Sequence, residues 1–476
     1  MSDLRRIDDI LWEIPAESRP DMRVPARLFA DRELLAAIEA DRSLEQLANM
    51  ATLPGIVGFA LAMPDIHQGY GFPVGGVAAT ETPDGVVSPG GVGYDINCGV
   101  RLLAAPFAEA ELGGRREALV HELSRSLPAG TGRGGGLTLR GAELDRVLLE
   151  GPRALVAEHG IGRDDDLEQT ESGGCLPGAD PAAVSERARE RGADQLGTVG
   201  SGNHFVELQE VERVFDHEAA KAYGLREGQV TVLIHSGSRG LGHQVCTDYV
   251  KRMDRAQARH GIELPDRQLA CAPQSSAEGR EYLGAMAAAA NFAWANRHAL
   301  AHAVREAVGR VVGREAGDET RQVYDVAHNV AKLETHDGRE VCVHRKGATR
   351  AFPAGSPDVP PAHRGVGQAV FIPGSMGTWS YVLAGEPGSL GRSFGTTCHG
   401  AGRVLSRTGA RKKIEGAELR RQLEERGIVV RSPSNKGLAE EAPFAYKDVE
   451  RVVDVVERAG LARRVARLRP LGVVKG

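Results

Sequence analysis

Four histidines of this chain close apolar runs or sit among small and amide residues. They are His204 in Gly202-Asn203-His204-Phe205, His235 in Leu233-Ile234-His235-Ser236-Gly237, His328 in Val326-Ala327-His328-Asn329, and His399 in Thr397-Cys398-His399-Gly400. A fifth segment, Gly93-Tyr94-Asp95-Ile96-Asn97-Cys98-Gly99, places a carboxylate and a thiol three residues apart. Imidazole, thiolate and carboxylate are the side chains that hold first-row metals, and strand ends are where a rigid scaffold presents side chains to a cleft. Asp95, Cys98, His204, His235 and His328 therefore read as one metal centre assembled from distant parts of the chain. A thiolate can bridge two ions. The carboxylate and three imidazoles then leave each ion with open positions, which suits catalysis. Taken alone, Cys98 reads as well as a small core residue and Asp95 as a turn former. The repeated setting of the histidines favours the metal centre.

His399 is different. Its segment, Gly395-Thr396-Thr397-Cys398-His399-Gly400-Ala401-Gly402-Arg403, is small on both sides, so a bulky group can approach the ring. An imidazole nitrogen can act as a nucleophile and carry a covalent intermediate, and metal ions beside it would neutralise charge on a phosphate. Arg403, Arg407 and the run Arg411-Lys412-Lys413 can hold phosphates, although an isolated basic run is usually a solvated face. Pro373-Gly374-Ser375-Met376-Gly377 can offer backbone N–H groups to a phosphate. No Walker A sequence is present. The one GxGxxG match, at Gly130, Gly132 and Gly135, follows no strand-like run and reads as an ordinary loop. His67 reads as a turn histidine, and His243, His336 and His344 as surface or structural groups. Asn203 and Asn329 fit substrate contacts or turn caps alike. Lys475, beside the last residue, reads on physics alone as solvent-facing charge at a frayed end.

Net charge is only −5, so a nucleic-acid role must rest on a local basic surface. The six cysteines form no CxxC pair, against a disulfide framework or a zinc ribbon. The first residues, Met1 to Arg6, have no apolar core behind them and are not expected to be a signal peptide. The most apolar stretch, Gly284 to Ala295, is too short for a membrane span. A cytoplasmic protein with reduced thiols is expected.

The elements that position these groups are expected to be mixed. Apolar periodicity predicts helices over Asp31 to Ala48, Leu112 to Leu127, Glu281 to Val312 (the longest), Ala417 to Arg426 and Asp448 to Ala459. Glycine-punctuated Val-rich runs predict short strands over Met63 to Arg101 and Gln322 to Tyr381, clearest at Val323-Tyr324-Asp325-Val326 and Ala369-Val370-Phe371-Ile372. Gly160 to Pro181, polar and acidic, reads as a surface loop. The fold class is α+β: one large composite domain over residues 1–476, with short-stranded mixed sheets, flanking helices and the metal centre in a central cleft.

Met63-Pro64-Asp65-Ile66-His67-Gln68-Gly69-Tyr70-Gly71, Asp95-Ile96-Asn97-Cys98-Gly99, Gly200-Ser201-Gly202-Asn203-His204-Phe205, His235-Ser236-Gly237-Ser238-Arg239-Gly240, Tyr324-Asp325-Val326-Ala327-His328-Asn329, His344-Arg345-Lys346-Gly347-Ala348-Thr349-Arg350, Cys398-His399-Gly400-Ala401-Gly402-Arg403 and Val474-Lys475-Gly476 together resemble the RtcB family of RNA-splicing ligases. The likeness runs in order from about residue 63 to the end, with residues 1–61 the least matched part. It implies a GTP- and Mn²⁺-dependent ligase that joins an RNA 3′-phosphate or 2′,3′-cyclic phosphate end to a 5′-hydroxyl end, in RNA splicing or repair. By the resemblance, His399 becomes guanylylated. Asp95, Cys98 and His204 hold one Mn²⁺, and Cys98, His235 and His328 the other, with Cys98 bridging. Asn203, His204, Phe205, Val206, Glu207, His328, Asn329, Pro373 to Met376 with Gly374 and Ser375 between, Ser380, Gly400, Ala401, Gly402, Tyr446 and Lys475 contact the nucleotide. Arg239, Arg403 and Arg407 contact RNA phosphates. GTP and RNA are the expected partners, with an archease-type activator open, no membrane, and a monomer as the default. Two other readings use the same residues: a dinuclear phosphoesterase, or a non-catalytic RNA- or metal-binding protein. Dependence on GTP separates them from the ligase.

Overall fold

Val-rich runs punctuated by glycine form strands and Ala-rich runs form helices, in an α+β arrangement built on two mainly antiparallel sheets. The computed structural model describes residues 4–38, 41–130, 132 and 134–476. One sheet has seven strands, in the order Arg5–Arg6, Leu11–Ile14, Ala26–Phe29, Ala60–Tyr70, Phe72–Glu81, Arg339–Lys346 and Asn329–His336. The other has eight. Its main path is Arg321–Ala327, Gly99–Ala108, Gln229–Ser236, Phe205–Val214, Ala462–Lys475, Ser380–Gly385 and Ala369–Ile372, and Val429–Arg431 runs parallel to Ala462–Lys475. Strand Arg321–Ala327 of the second sheet passes into Asn329–His336 of the first through one residue, His328. The two sheets are thus joined at a predicted ligand.

The longest helix, Ala277–Val311, starts at Ser276, whose side chain accepts from the Gly279 N–H. It lies between two parts of the core. Leu300, Val304 and Val308 pack with Val206, Val232 and Ile234, whereas Tyr282, Met286 and Phe292 pack with Leu148, Leu155 and Tyr249. A helix covered on more than one face needs small side chains where neighbours come close. This explains its many alanines.

The sequence expectations differ from the structure in four places. The strands expected to be short over Met63 to Arg101 are led by Ala60–Tyr70 and Phe72–Glu81, of 11 and 10 residues. The predicted helix over 31–48 is two, Arg32–Ile38 and Ser43–Met50, and residues 39 and 40 lie outside the described residues. The C-terminus is not frayed: Ala462–Lys475 pairs on both sides inside its sheet, and Lys475 is buried. Gly160 to Pro181 is only partly a surface loop. It contains the short helix Asp165–Glu168, and Asp166 and Glu171 are buried. Asp166 accepts two bonds from Arg305 at 2.6 Å each, and Glu171 one from Lys332 at 2.5 Å. Acidic composition suggested solvent, but distant cations in the fold neutralise these carboxylates. No helix among the described residues is long and apolar enough to cross a membrane. Asp166→Ala should cost about 3–5 kcal/mol in urea unfolding because it strands Arg305, whereas Asp164→Ala, which is exposed, should cost under about 0.5 kcal/mol. Equal midpoints would show that the segment contributes no buried pair.

Candidate active site and metal centre

Four ligand positions fall at one end of neighbouring strands. Cys98 precedes Gly99–Ala108, His204 precedes Phe205–Val214, His235 is next to last in Gln229–Ser236, and His328 follows Arg321–Ala327. The register sets Val100 and Phe205 opposite His235, and Ala327 opposite Gly99. The side chains therefore converge. Cys98 Sγ is 3.3 Å from His204 Nε2 and 3.3 Å from His235 Nε2. His235 Nε2 is 3.3 Å from His328 Nε2, and His204 Nε2 is 2.7 Å from Asp95 Oδ2. Two ligand groups result, Asp95–Cys98–His204 and Cys98–His235–His328, with Cys98 common to both.

Electrostatics suit a cation. Burial holds His235 and His328 well below the ordinary imidazole value, reinforced by neighbouring imidazoles. Burial also lowers His204, against the pull of Asp95. Burial thus favours the neutral form of all three imidazoles, the form a metal would need. Burial and Asp95 push the Cys98 thiol well up, so a metal must displace its proton. Burial opposes the charge of Asp95, but His204 and Arg239 outweigh it and hold the carboxyl below its ordinary range. Neutral nitrogens this close, with a thiol and a carboxylate between them, fit two ions sharing a thiolate.

A buried guanidinium fixes the ligand segments. Arg297 donates to Asn97 O at 2.6 Å, Asn97 Oδ1 at 3.0 Å and Ser236 O at 3.0 Å, and it pairs with the Asp325 carboxylate at 2.8 Å. Asn97 adjoins Cys98, Ser236 adjoins His235, and Asp325 lies on the strand that leads to His328. Asn97 itself holds a positive φ of 51°. Asn329 donates to Asp95 O at 3.0 Å and accepts from Gly347 N at 2.7 Å, so it joins the two turns. Arg239 donates to His204 Nδ1 at 2.8 Å, and it is not on the cavity wall.

His399 follows the short strand Thr396–Cys398, which pairs with Ala348–Arg350. Its ring centroid is 4.8 Å from that of His328. Asp65, fully buried, accepts from His399 Nδ1 at 2.6 Å and from the His399 and Gly400 N–H groups at 3.1 and 3.3 Å. Burial disfavours the Asp65 charge, but His399 outweighs it and lowers the carboxyl. The carboxylate thus assigns the ring proton to Nδ1 and leaves the Nε2 lone pair free. Lys447 closes this turn from behind, donating to Pro64 O at 3.0 Å and Ile66 O at 2.5 Å. Gly402 approaches so closely that a Cβ would sit 2.1 Å from Asp65 O.

A cavity of about 280 Å³ opens over these groups, at the small end of ligand sites. His235, His328, Asn329, His399, Gly400, Ala401 and Gly402 line it, as do Asn203, Phe205, Glu207, Pro373, Gly374, Ser375, Met376, Arg403, Arg407, Tyr446 and Lys475. Asp95, Cys98 and His204 do not line it. Val206 points to the opposite sheet face and packs under the long helix. Ser380 lies behind the wall, accepting from Gly374 N at 3.2 Å and Gln209 Nε2 at 3.0 Å. Burial pushes Glu207 up to about 8, against Gln209 and Lys475, and pushes Lys475 down to about 8, against Glu441. Arg403 and Arg407 share one buried carboxylate, Glu441, at 3.0 and 3.1 Å, and Tyr446 donates its hydroxyl to the same group. Arg407 is half exposed.

Of the other histidines, His67 bonds to Asp65 O at 3.0 Å and lines the cavity, and burial lowers it to about 4. His344 is buried between Ser88 N and Ala78 O, a structural role. Sequence reasoning missed Asp65, Arg297, Glu441 and Lys447 as functional groups. For Asp65 a signal existed, since it lies in the quoted Met63 to Gly71 motif. The others act through contacts between distant segments. Arg297→Lys keeps the charge but cannot span all three ligand segments. It should weaken divalent-metal binding by about 10- to 100-fold in calorimetric titration. An unchanged affinity would remove Arg297 from the support of the site.

Comparison with known proteins agrees with this geometry. The family described as tRNA-splicing ligase RtcB matches residues 46–476. A tRNA-splicing ligase RtcB of Thermococcus kodakarensis is 55% identical over 100% of this chain and 99% of its own length. One from Archaeoglobus fulgidus is 53% identical over 99% of each. The RNA-splicing ligase RtcB of Mycobacterium tuberculosis is 53% identical over 90% of this chain and 100% of its own. The chain belongs to the RtcB family of tRNA-splicing ligases.

Proposed function

We infer that the protein is a GTP- and Mn²⁺-dependent RNA ligase. It joins a 3′-phosphate or 2′,3′-cyclic phosphate end to a 5′-hydroxyl end through a covalent histidine–GMP species. The observation that carries this reading is the pairing of His399 Nδ1 with buried Asp65, beside a ligand set for two ions. The Asp95–Cys98–His204 and Cys98–His235–His328 groups would hold the metals, which when bound supply charge neutralisation at phosphoryl oxygens and a lowered pKa for an attacking oxygen.

The chain's own groups account for the rest. His399 Nε2 attacks the α-phosphorus of GTP, an N–P bond forms, and the bond to pyrophosphate breaks. Asp65 stabilises the positive charge that the guanylylated ring then carries, since its carboxylate faces Nδ1–H. An oxygen of the RNA 3′-phosphate next attacks the same phosphorus, and the N–P bond breaks to give an RNA-3′-pp-G end. A 2′,3′-cyclic end would first add water, with cleavage of its 2′-O–P bond, to become the 3′-phosphate. In the last step the 5′-hydroxyl oxygen attacks the 3′-phosphorus, its proton passes to solvent, the P–O bond to the guanylyl group breaks and GMP leaves. Gly400 leaves a phosphate room beside His399, whereas Gly402 makes room for the Asp65 turn that packs against it. Guanine offers two donors on one edge with O6 beside them. Burial favours the protonated form of Glu207 in the empty site, but the guanine donors and neighbouring Lys475 would favour its carboxylate, which accepts from those donors while Lys475 donates to O6. Phe205 and Tyr446 supply flat apolar surface.

The test is incubation with α-labelled GTP and Mn²⁺ followed by denaturing separation. Wild type should retain label and His399→Ala should not. Glu207→Gln, which loses a charged acceptor worth about 1.5–3 kcal/mol, should cut labelling efficiency by GTP about 10- to 150-fold while leaving labelling by ATP near its wild-type level. Label on His399→Ala would remove the nucleophile assignment. Cyclic-phosphate opening that needs no GTP, with no label on wild type, would favour the phosphoesterase.

A further inference from the structure

The cavity, about 280 Å³, is small beside a polynucleotide, so the rest of a strand must leave over its rim. One rim is built by facing segments. Arg403 and Tyr446 form a β-bridge at the cavity wall, and one residue outward Val404 N donates to Ala445 O at 2.8 Å. Beyond this pair the chain presents two large apolar side chains to solvent, Val404 at 44% and Phe444 at 41% exposure. Only seven large apolar side chains are exposed among the described residues, and two of them fall on these two segments. The Lys413 ammonium stands 6.0 Å from the centre of the Phe444 ring. Residues 403–413 and 440–446 carry five cations (Arg403, Arg407, Arg411, Lys412, Lys413) against two carboxylates (Glu440, Glu441). Both carboxylates are already engaged by arginines. Lys412 and Lys413 are exposed, with no carboxylate partner among the described residues.

An exposed aromatic ring with one cation beside it and another next in sequence is the chemistry of single-strand nucleic-acid binding. The ring stacks on a base of any identity, and the cations track the backbone. Exposure and a nearby cation are not sufficient by themselves. Phe215 is also exposed and lies under Arg213 at 4.8 Å, but it sits past the far end of strand Phe205–Val214, remote from the cavity. Phe444 instead lies two residues from Tyr446, which lines the cavity.

We propose that Phe444 is a stacking platform for one base of the RNA strand that enters the cavity, with Lys412 and Lys413 against its phosphates. The proposal rests on the ligase reading above. It assigns a positioning role in strand binding, and it predicts little preference for base identity at that nucleotide.

The test uses the full-length protein and a short 5′-labelled single-stranded RNA ending in a 3′-phosphate, read by fluorescence anisotropy. Phe444→Ala should bind about five- to a hundredfold more weakly, Phe444→Trp should bind like wild type, and Phe215→Ala should not differ from wild type. An RNA series in which each base in turn is replaced by an abasic residue should show one position where wild type loses affinity and Phe444→Ala loses none. That coincidence reports stacking and is not produced by general loosening of the fold. If Phe444→Ala binds intact RNA as tightly as wild type, or if no abasic position is insensitive in the variant alone, the platform is overturned. Retained GMP labelling of wild type would then leave the ligase reading standing. Absence of both RNA binding and labelling in wild type would overturn the two together.

Discussion

A guanidinium sealed from water has to be met by fixed acceptors, and those that meet Arg297 belong to the segments that carry the ligands Cys98, His235 and His328. Buried ion pairs add little net stability. What this one contributes is register, because strands that slide would strand the charge. Arg101 shares Asp325 with Arg297, its Nε lying 2.7 Å from the carboxylate. Two cations against one carboxylate leave net positive charge beneath the site. Above it lie a thiol that must ionise and a carboxylate. The geometry of the ligands is thus set from below before a metal arrives. The same strands give the cavity its walls, with Phe205 and Glu207 alternating with Val206, which faces the core.

The second constraint is the choice of tautomer at His399. A histidine among glycines could present either nitrogen. Asp65 removes the choice by accepting from Nδ1, and Lys447 holds the Asp65 turn through the two carbonyls beside it. The metal centre and the histidine then share one face, since His328 packs on both His235 and His399. The joint between the two sheets is also at His328, so the fold and the site are defined by the same residue.

Much of this was legible in the residues. The five metal-ligand candidates stand in local contexts that mark strand ends, and a strand end is a local property. The long alanine-rich helix and the Val449–Arg458 helix were legible from periodicity, with boundaries displaced by a few residues. Lys475 was misread by position alone, because a terminal residue is buried only when distant strands pair on both sides of it. Gly160 to Pro181 was misread by composition, because Arg305 and Lys332, which neutralise its acids, are more than a hundred residues away. Glu441 and Arg297 carried no local mark at all. Each is an ion in a sequence full of ions, and only three-dimensional pairing singles them out.

The central claim is that Cys98, common to both ligand groups, would serve two metal ions beside His399. Metal analysis with electron paramagnetic resonance of the Mn²⁺-loaded protein tests it most directly, for wild type and Cys98→Ser. The account predicts two ions per chain with an exchange-coupled spectrum in wild type, and loss of that coupling in the variant. A single ion per chain, or a coupled spectrum that survives Cys98→Ser, would contradict it.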